Sequence, residues 1–500
     1  MTATTLTIAT TREELDRAAL DAHAAFLAAA GATPSTRAGW LDALARALRE
    51  NAAELVQLGM ADTNLAEARL QGELKRSAFQ LELFAEEVRT GVVLDAVIDH
   101  ADPEWGMGPR PDIRRVNVPL GVVGVFGASN FPFAFSVMGG DSASALAAGC
   151  AVLHKVHSGH RTLALRTAEI AVEALRNAGA PEGLFGVVDG REAAEALVDH
   201  PLVKAIGFTG STAGGRALFN RASARAEPIP FYGELGSINP VFVLPEAWSS
   251  RSADILAGYA GSFTMGMGQF CTKPGVLFVP DSATEEQLRG ALSPALEKAP
   301  LGKLLTPGLR DSFGQARDGL AGIDGVTTLI PGSDDEVPSP TVLLTDAAAV
   351  KADPEILRQE MFGPATVVVR YSSPEELPGL AGLMEGQLTA TIHADDADQA
   401  GDLLDTLTGI AGRVLWNGWP TGVTVSYAQQ HGGPYPATTA PGTTSVGTAA
   451  VGRFTRPVAY QDVPDQALPP ALREANPWGI RRRVDGRFEE AQSVSREGAR

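Results

Sequence analysis

The stretch VKAIGFTGSTAGG, residues 203–215, decides how the chain folds. Its first half is an apolar run of strand length, and its second half is a glycine-rich joint that opens a helix from Ala213. Glycines there let a backbone approach a ligand, and the amino end of a helix offers unpaired N–H groups to a phosphate. The spacing is Gly210-x-x-x-Gly214 rather than GxGxxG, so a tight strand-to-helix turn explains the segment equally well when it is taken alone. Its surroundings tip the balance. Upstream lie the apolar runs VVGVF, AVLHKV and GLFGVV, with helical patterns over residues 161–178 and 191–199. Short apolar strands alternating with amphipathic helices give a parallel sheet with right-handed crossovers, so this half is read as an α/β, Rossmann-type nucleotide-binding domain.

Residues 10–98 read as helices, opened by a capping box of Thr11 with Glu14. DIRRVNVPLG, residues 112–121, alternates like a strand and is expected to run as a hairpin. A second α/β alternation begins near Asn239 with PVFVL, a helix over 252–264, GVLFV and a helix over 284–297. It continues through ATVVV, LTATIH and GRVLW to about residue 416, and beyond Gly432 the chain reads as irregular.

Composition bounds the function. In 500 residues, 44% hydrophobic and 20% charged, there is room for two or three globular domains. A net charge of -18 argues against a nucleic-acid partner, which needs a basic face. The most apolar region, residues 118–156, is interrupted by Asn130, Asp141, Ser142 and Lys155, so no membrane span is expected. The first residues lack the basic start and apolar core of a signal peptide, and two cysteines make no disulfide framework; a cytoplasmic location is expected.

Three side chains stand out as candidates for chemistry. Cys271 sits in GMGQFCTKPG, residues 266–275, where flanking glycines suit a backbone bent around a ligand. Glu234, in PFYGELGSINP, is set between two glycines beside an apolar run, where burial would raise its pKa toward that of a useful base. Asn130, in GASNFPF, falls at the carboxyl end of a sheet strand, where open α/β sheets bind ligands, and its amide suits an oxyanion. Each has a plainer explanation: a packed thiol, a solvated carboxylate, a turn cap. His154, His157 and His160 recur every third residue but make no convincing ligand set, so no metal is expected, and no GxSxG elbow supports a serine hydrolase.

Together GASNFPF, HKVHS, GFTGSTAGG, ELGSINP, GQFC and EMFGP resemble, in order and spacing, the aldehyde dehydrogenase superfamily over nearly the whole chain. The resemblance implies a cofactor-binding domain over 1–100 and 120–236, a catalytic domain over 237–440, and an oligomerisation arm with a C-terminal piece over 101–119 and 441–500. It makes Cys271 the nucleophile, Glu234 the base that hydrolyses the thioester, and the Asn130 amide an oxyanion donor. Cys150 is core. For the cofactor it assigns Lys155 to the adenosine ribose, Gly210, Ser211 and Gly214 to the pyrophosphate, and Glu360 with Phe362 to the nicotinamide side. Relatives preferring NAD often carry a glutamate where this chain has Ser158. With His157 beside it and Arg191 nearby, a 2′-phosphate fits, so NADP is expected, with NAD the alternative.

Ser129 departs from the aromatic residue many members place before the asparagine. The segments HGGPYPATT, TSVGTAAVGRFTRPVAYQDVP and ANPWGIRRRVDG resemble the branch acting on 2-oxoglutarate semialdehyde (2,5-dioxopentanoate), which is also similar to a fatty aldehyde enzyme. A substrate carboxylate would then be held by Lys273, Arg453 or backbone donors, a choice left open at this point. A homodimer or homotetramer is implied. The competing readings are a cofactor-free thiol esterase at Cys271 and a non-catalytic nucleotide-binding protein.

Overall fold

The structure is a computed structural model that describes residues 9–333 and 335–491. The first eight residues, part of the stretch read as lacking a signal peptide, and the last nine residues of the C-terminal piece lie outside it.

Four helices come first: Arg12–Ala29, Pro34–Glu50, Ala52–Thr63 and Glu67–Thr90. The expected capping box is present, with the Glu14 N–H donating to Thr11 Oγ1 and the Thr11 N–H donating to Glu14 Oε2 at 2.8 Å. Helix Glu67–Thr90 buries Leu70, Leu74, Leu81 and Phe84 against Pro34–Glu50 and its neighbours, a stripe at helical period. Arg69, Glu73 and Arg76 share another face of the same helix.

The nucleotide-type sheet has five parallel strands in the order Phe185–Val188, Ala151–Lys155, Val122–Phe126, Val203–Thr209, Phe231–Glu234. In chain order this is 3-2-1-4-5. The order reverses between Val122–Phe126 and Val203–Thr209, and the loops leaving their carboxyl ends flank the crevice where such sheets take ligands. Val122–Phe126 is buried at every position, as a strand covered by helices on both faces must be.

A second sheet has seven strands, ordered Thr327–Ile330, Thr341–Asp346, Ala365–Tyr371, Val276–Pro280, Val241–Val243, Gln387–His393, Ala411–Trp416. All neighbours are parallel except the edge strand Thr327–Ile330. The five strands read from the sequence are there; Thr327–Ile330 and Thr341–Asp346 were not anticipated.

The third sheet corrects the sequence reading. Residues 112–121 do not form a hairpin: Ile113–Pro119 is one strand, antiparallel both to Val97–Asp99 and to Thr455–Gln461. The turn that would fold it back is missing, because Gly121, at φ 134°, leads directly into Val122–Phe126. Val97–Asp99 lies in the stretch read as helical, after Gly91 ends the helix in a left-handed conformation. Arg482–Val484 and Arg487–Glu489 complete this sheet, so the tail beyond Gly432 is less irregular than expected. Among the described residues no helix is long and apolar enough to cross a membrane.

Candidate active site

Cys271 follows a backbone contortion that glycine makes affordable. Gly266, Met267 and Gly268 all have positive φ, and a Cβ on Gly268 would meet the Gly363 carbonyl oxygen at 2.1 Å. The Cys271 loop is thus pressed against the EMFGP loop. Asn239, itself at φ 55°, clamps it from the other side, its amide donating to the carbonyls of Cys271 at 2.8 Å and Lys273 at 3.0 Å. Gln387 in turn fixes Asn239, its Oε1 accepting from the Ile238 and Asn239 N–H groups.

Glu234 is the last residue of Phe231–Glu234 and is buried, as expected. The chain returns alongside it, the Leu235 N–H donating to Ala437 O at 2.8 Å and the Thr439 N–H to Gly233 O at 3.1 Å. That return brings His431 into the site. Its Nε2 lies 2.8 Å from Glu234 Oε1 and 3.5 Å from the Cys271 sulfur, and Ser445 Oγ donates to Glu234 Oε2 at 2.5 Å. Sulfur, imidazole and carboxylate ligand atoms all fall within 4.8 Å of one another. This grouping has the donors of a soft metal site as well as those of a nucleophile with two bases. HGGPYPATT was read only as a branch signature; the signal for His431 was the pair of glycines that follows it.

The electrostatics differ from the sequence expectation. Burial raises the Glu234 pKa, but the opposing effects of His431, Ser445 and Cys271 together outweigh it, so the carboxyl is held below its ordinary value rather than above it. The Cys271 thiol is pushed well up, first by burial and then by the charge of Glu234. At neutral pH the resting pair is therefore a thiol beside a carboxylate, with an imidazole in contact with both.

Asn130 is buried, and its amide does not cap the turn; it donates across to Gln269 O at 2.9 Å in the Cys271 loop. The Asn130 carbonyl accepts from Arg69 Nη2 at 2.8 Å. Cys271, Glu234 and Asn130 are thus brought together. Cys150 is buried elsewhere, its thiol donating to Phe454 O.

A cleft of about 510 Å³ is lined by Ser211, Thr212, Gly236, Glu360, Gln387 and Tyr435, among others. Ser211 caps helix Thr212–Ser223, its Oγ accepting from the Gly214 N–H at 3.3 Å, and Gly210 precedes it. A Cβ on Gly236 would strike Glu360 Oε2 at 2.5 Å and Thr212 Oγ1 at 2.8 Å. Burial raises the Glu360 pKa while Lys273 lowers it. Phe362 is half-buried two residues on. A helix amino terminus facing a carboxylate across a glycine fits a dinucleotide, with phosphates at the first and a ribose diol at the second.

Lys155 ends Ala151–Lys155 and pairs with Val188, so His157, Ser158 and Arg191 gather at the ends of adjacent strands. Ser158 and Arg191 are exposed. His157 is corrected in one respect. Burial and then Lys155 lower its pKa to about 4, so at neutral pH it offers a hydrogen bond and no charge. Its Nδ1 accepts the Gly159 N–H at 3.0 Å, which leaves the proton on Nε2.

The two side chains weighed as carboxylate anchors are committed elsewhere. Lys273 Nζ donates to the carbonyls of Met361 at 2.6 Å and Ala365 at 2.9 Å, bracing the EMFGP loop. Arg453 is paired with the buried Asp141 at 2.7 Å.

A parallel-sheet α/β lobe with a cleft suited to a dinucleotide, joined to a lobe that carries Cys271 in contact with His431 and Glu234, fits an aldehyde-oxidising dehydrogenase, and comparison with known proteins agrees. The sequence profile of the Aldehyde dehydrogenase family matches residues 3–313 and 320–436, and the chain belongs to that family. It is 43% identical over 481 residues to "Alpha-ketoglutaric semialdehyde dehydrogenase" of Acinetobacter baylyi, and 45% identical over 487 to "Alpha-ketoglutaric semialdehyde dehydrogenase 2" of Azospirillum brasilense. Each alignment covers 95% of this chain and 91% of the relative. Among solved structures, the glyceraldehyde-3-phosphate dehydrogenase of Methanocaldococcus jannaschii complexed with NADP aligns with a TM-score of 0.76 at 20% identity, covering 92% of this chain and 96% of that one. A mutant aldehyde dehydrogenase C of Pseudomonas syringae with NAD+ and octanal aligns at 0.75 and 20%, covering 90% and 89%. The chain is an NAD(P)-dependent aldehyde dehydrogenase.

Proposed function

We propose that this enzyme oxidises 2,5-dioxopentanoate (2-oxoglutarate semialdehyde) to 2-oxoglutarate, with Cys271 as nucleophile. The observation that carries the chemistry is the contact of Cys271, His431 and Glu234 in one buried cluster. The relatives' names support the substrate.

A thiol with a raised pKa needs its proton removed as it attacks. His431 Nε2 donates its proton to the Glu234 carboxylate and so holds that carboxylate beside the sulfur; the proton of Cys271 leaves toward Glu234, which hydrogen-bonds the thiol. Sulfur adds to the aldehyde carbon, and the resulting oxyanion is held by the Asn130 amide and the Cys271 N–H. One such donor is worth about 3 kcal/mol of barrier. A nicotinamide held in the cleft beside Glu360 would supply the hydride acceptor. The thioester left on Cys271 is hydrolysed by a water that Glu234 deprotonates, a task suited to a carboxylate kept ionised at neutral pH.

Gly210, Ser211 and Gly214 would hold the pyrophosphate, Lys155 the adenosine ribose, and Glu360 with Phe362 the nicotinamide side. NADP is the preferred cofactor, its 2′-phosphate received by Ser158, His157 and Arg191; Ser158→Glu should raise the KM for NADP more than that for NAD. The domain limits are those given by the family resemblance, except that Val97–Asp99 goes with the arm, in whose sheet it pairs. The sheet containing Ile113–Pro119 serves as the arm of a cytoplasmic homodimer or homotetramer.

The test is cofactor reduction with 2,5-dioxopentanoate against a long-chain aldehyde, each with NADP and NAD. Preference for the short oxo-acid supports the assignment; preference for the long chain overturns the substrate and leaves the mechanism.

A further inference from the structure

A cavity of about 260 Å³ opens on Cys271 from the side of helix Glu67–Thr90. Its walls combine Phe131, Phe135 and Phe270 with two arginines, Arg69 and Arg76. It is smaller than the roughly 300–1,000 Å³ of sites that take drug-sized ligands, which suits a short substrate.

The arginines are held deliberately. The Arg69 guanidinium lies over the rings of Phe131, at 4.8 Å, and Phe270, at 4.4 Å, the residues directly after Asn130 and directly before Cys271. That of Arg76 lies 5.4 Å from the Phe135 ring centre, with its Nε donating to Val423 O at 3.4 Å. Arg69 Nη2 is used by the Asn130 carbonyl. Arg76 Nη1 is buried and has no partner. Leaving such a donor unsatisfied is costly, and a site designed to bind an anion is one place where it persists.

Hydrogen bonding on this wall is incomplete, with Glu73 Oε2 as well as Arg76 Nη1 lacking a partner. Glu73, the acid between the arginines, directs Oε1 to the N–H groups of Phe133 at 2.8 Å and Ala134 at 2.9 Å, pinning the GASNFPF turn. Its Oε2 comes no closer than 4.0 Å to Arg69 Nε. Burial lowers the pKa of both arginines, while Glu73 and Cys271, and for Arg76 also Glu234, act to raise it. Arg76 Nη1 is left without an acceptor in the cavity that reaches Cys271, and its chemical complement is a carboxylate brought by the substrate.

We propose that Arg76, supported by Arg69, binds the carboxylate of the aldehyde substrate and so selects short aldehydes that end in an acid. The proposal rests on the assignment of a carboxylate-bearing aldehyde above. In 2,5-dioxopentanoate four carbon–carbon bonds separate the aldehyde carbon from the carboxylate carbon, about 5 Å when extended. The arginine wall and Cys271 line the same cavity, so aldehyde and acid can be engaged together.

The experiment compares kcat/KM for 2,5-dioxopentanoate with that for its neutral methyl ester, using the full-length enzyme with cofactor. Wild type is measured first, then Arg76→Gln and the charge-retaining Arg76→Lys. The acid-to-ester ratio should fall about a hundredfold in Arg76→Gln, chiefly through KM for the acid, and recover in part in Arg76→Lys. A ratio unchanged in Arg76→Gln, with wild type still favouring the acid, overturns the anchor and leaves the substrate assignment standing. A wild type that favours the ester overturns both. Should Arg76→Gln fail to fold, protection of Cys271 from iodoacetamide by 2-oxoglutarate decides the matter in Arg76→Lys: protection at unchanged concentration counts against the anchor, and weakened protection supports it.

Discussion

The molecule contains two cysteines in two kinds of surroundings. Cys150 follows helix Gly140–Ala148 and enters strand Ala151–Lys155, with a backbone carbonyl of Phe454 as its thiol's acceptor. Cys271 sits in a loop of left-handed residues with His431 and Glu234 at hand. Burial raises both thiols, Cys150 to about 11 and Cys271 well above its ordinary value. A high pKa therefore does not separate the two thiols. What separates them is the contact of Cys271 with His431 and Glu234 and the cavity that opens on its sulfur.

The largest effect should come from Cys271→Ala, which is expected to lower kcat/KM by at least about ten-thousandfold in the cofactor-reduction assay. Comparable loss in Cys150→Ala would break the comparison. Next, Glu234→Gln should reduce steady-state turnover by about a hundred- to ten-thousandfold, as loss of a general base does. Rapid mixing should still show a first turnover, because the thioester forms and then waits. His431→Gln should cost less, about a hundredfold or below, since Glu234 remains beside the sulfur.

Alkylation by iodoacetamide sharpens the electrostatic side. Glu234 raises the Cys271 pKa, so removing its charge in Glu234→Gln lowers it, and the pH profile of Cys271 labelling should shift toward acid. A shift toward alkali would contradict the sign of that interaction. The smallest effect belongs to Cys150→Ala. It should cost about 1 kcal/mol of stability, read by thermal unfolding, and leave kcat/KM unchanged.

What could be read from the sequence follows from how locally each feature is encoded. Strands such as Val276–Pro280 and Ala365–Tyr371 are buried nearly throughout and appear as unbroken apolar runs. Thr455–Gln461 is largely exposed, contains Pro457 and lies at a sheet edge, where proline is tolerated and no alternation is demanded. Nothing in TRPVAYQ announces a strand. Cys271, Glu234 and Asn130 each sit in a short motif, and all three converge in space. His431 reaches Cys271 across 160 residues, and only the return of the chain along Phe231–Glu234 brings it there. Arg69 and Arg76 look like solvated charges on an amphipathic helix; their rings and cavity come from Phe131, Phe135 and Phe270, far along the chain. The carbonyl and carboxylate partners of Lys273 and Arg453 are equally remote in the chain.

The central claim is that aldehyde carbon becomes bonded to Cys271 and is released with the help of Glu234. Glu234→Gln enzyme should be mixed with NADP and 2,5-dioxopentanoate, quenched in acid within the first turnovers, digested and analysed by mass spectrometry. The account predicts an acyl adduct on the peptide carrying Cys271 and none on that carrying Cys150. An adduct-free Cys271 peptide in enzyme that has completed a turnover of cofactor reduction would contradict it.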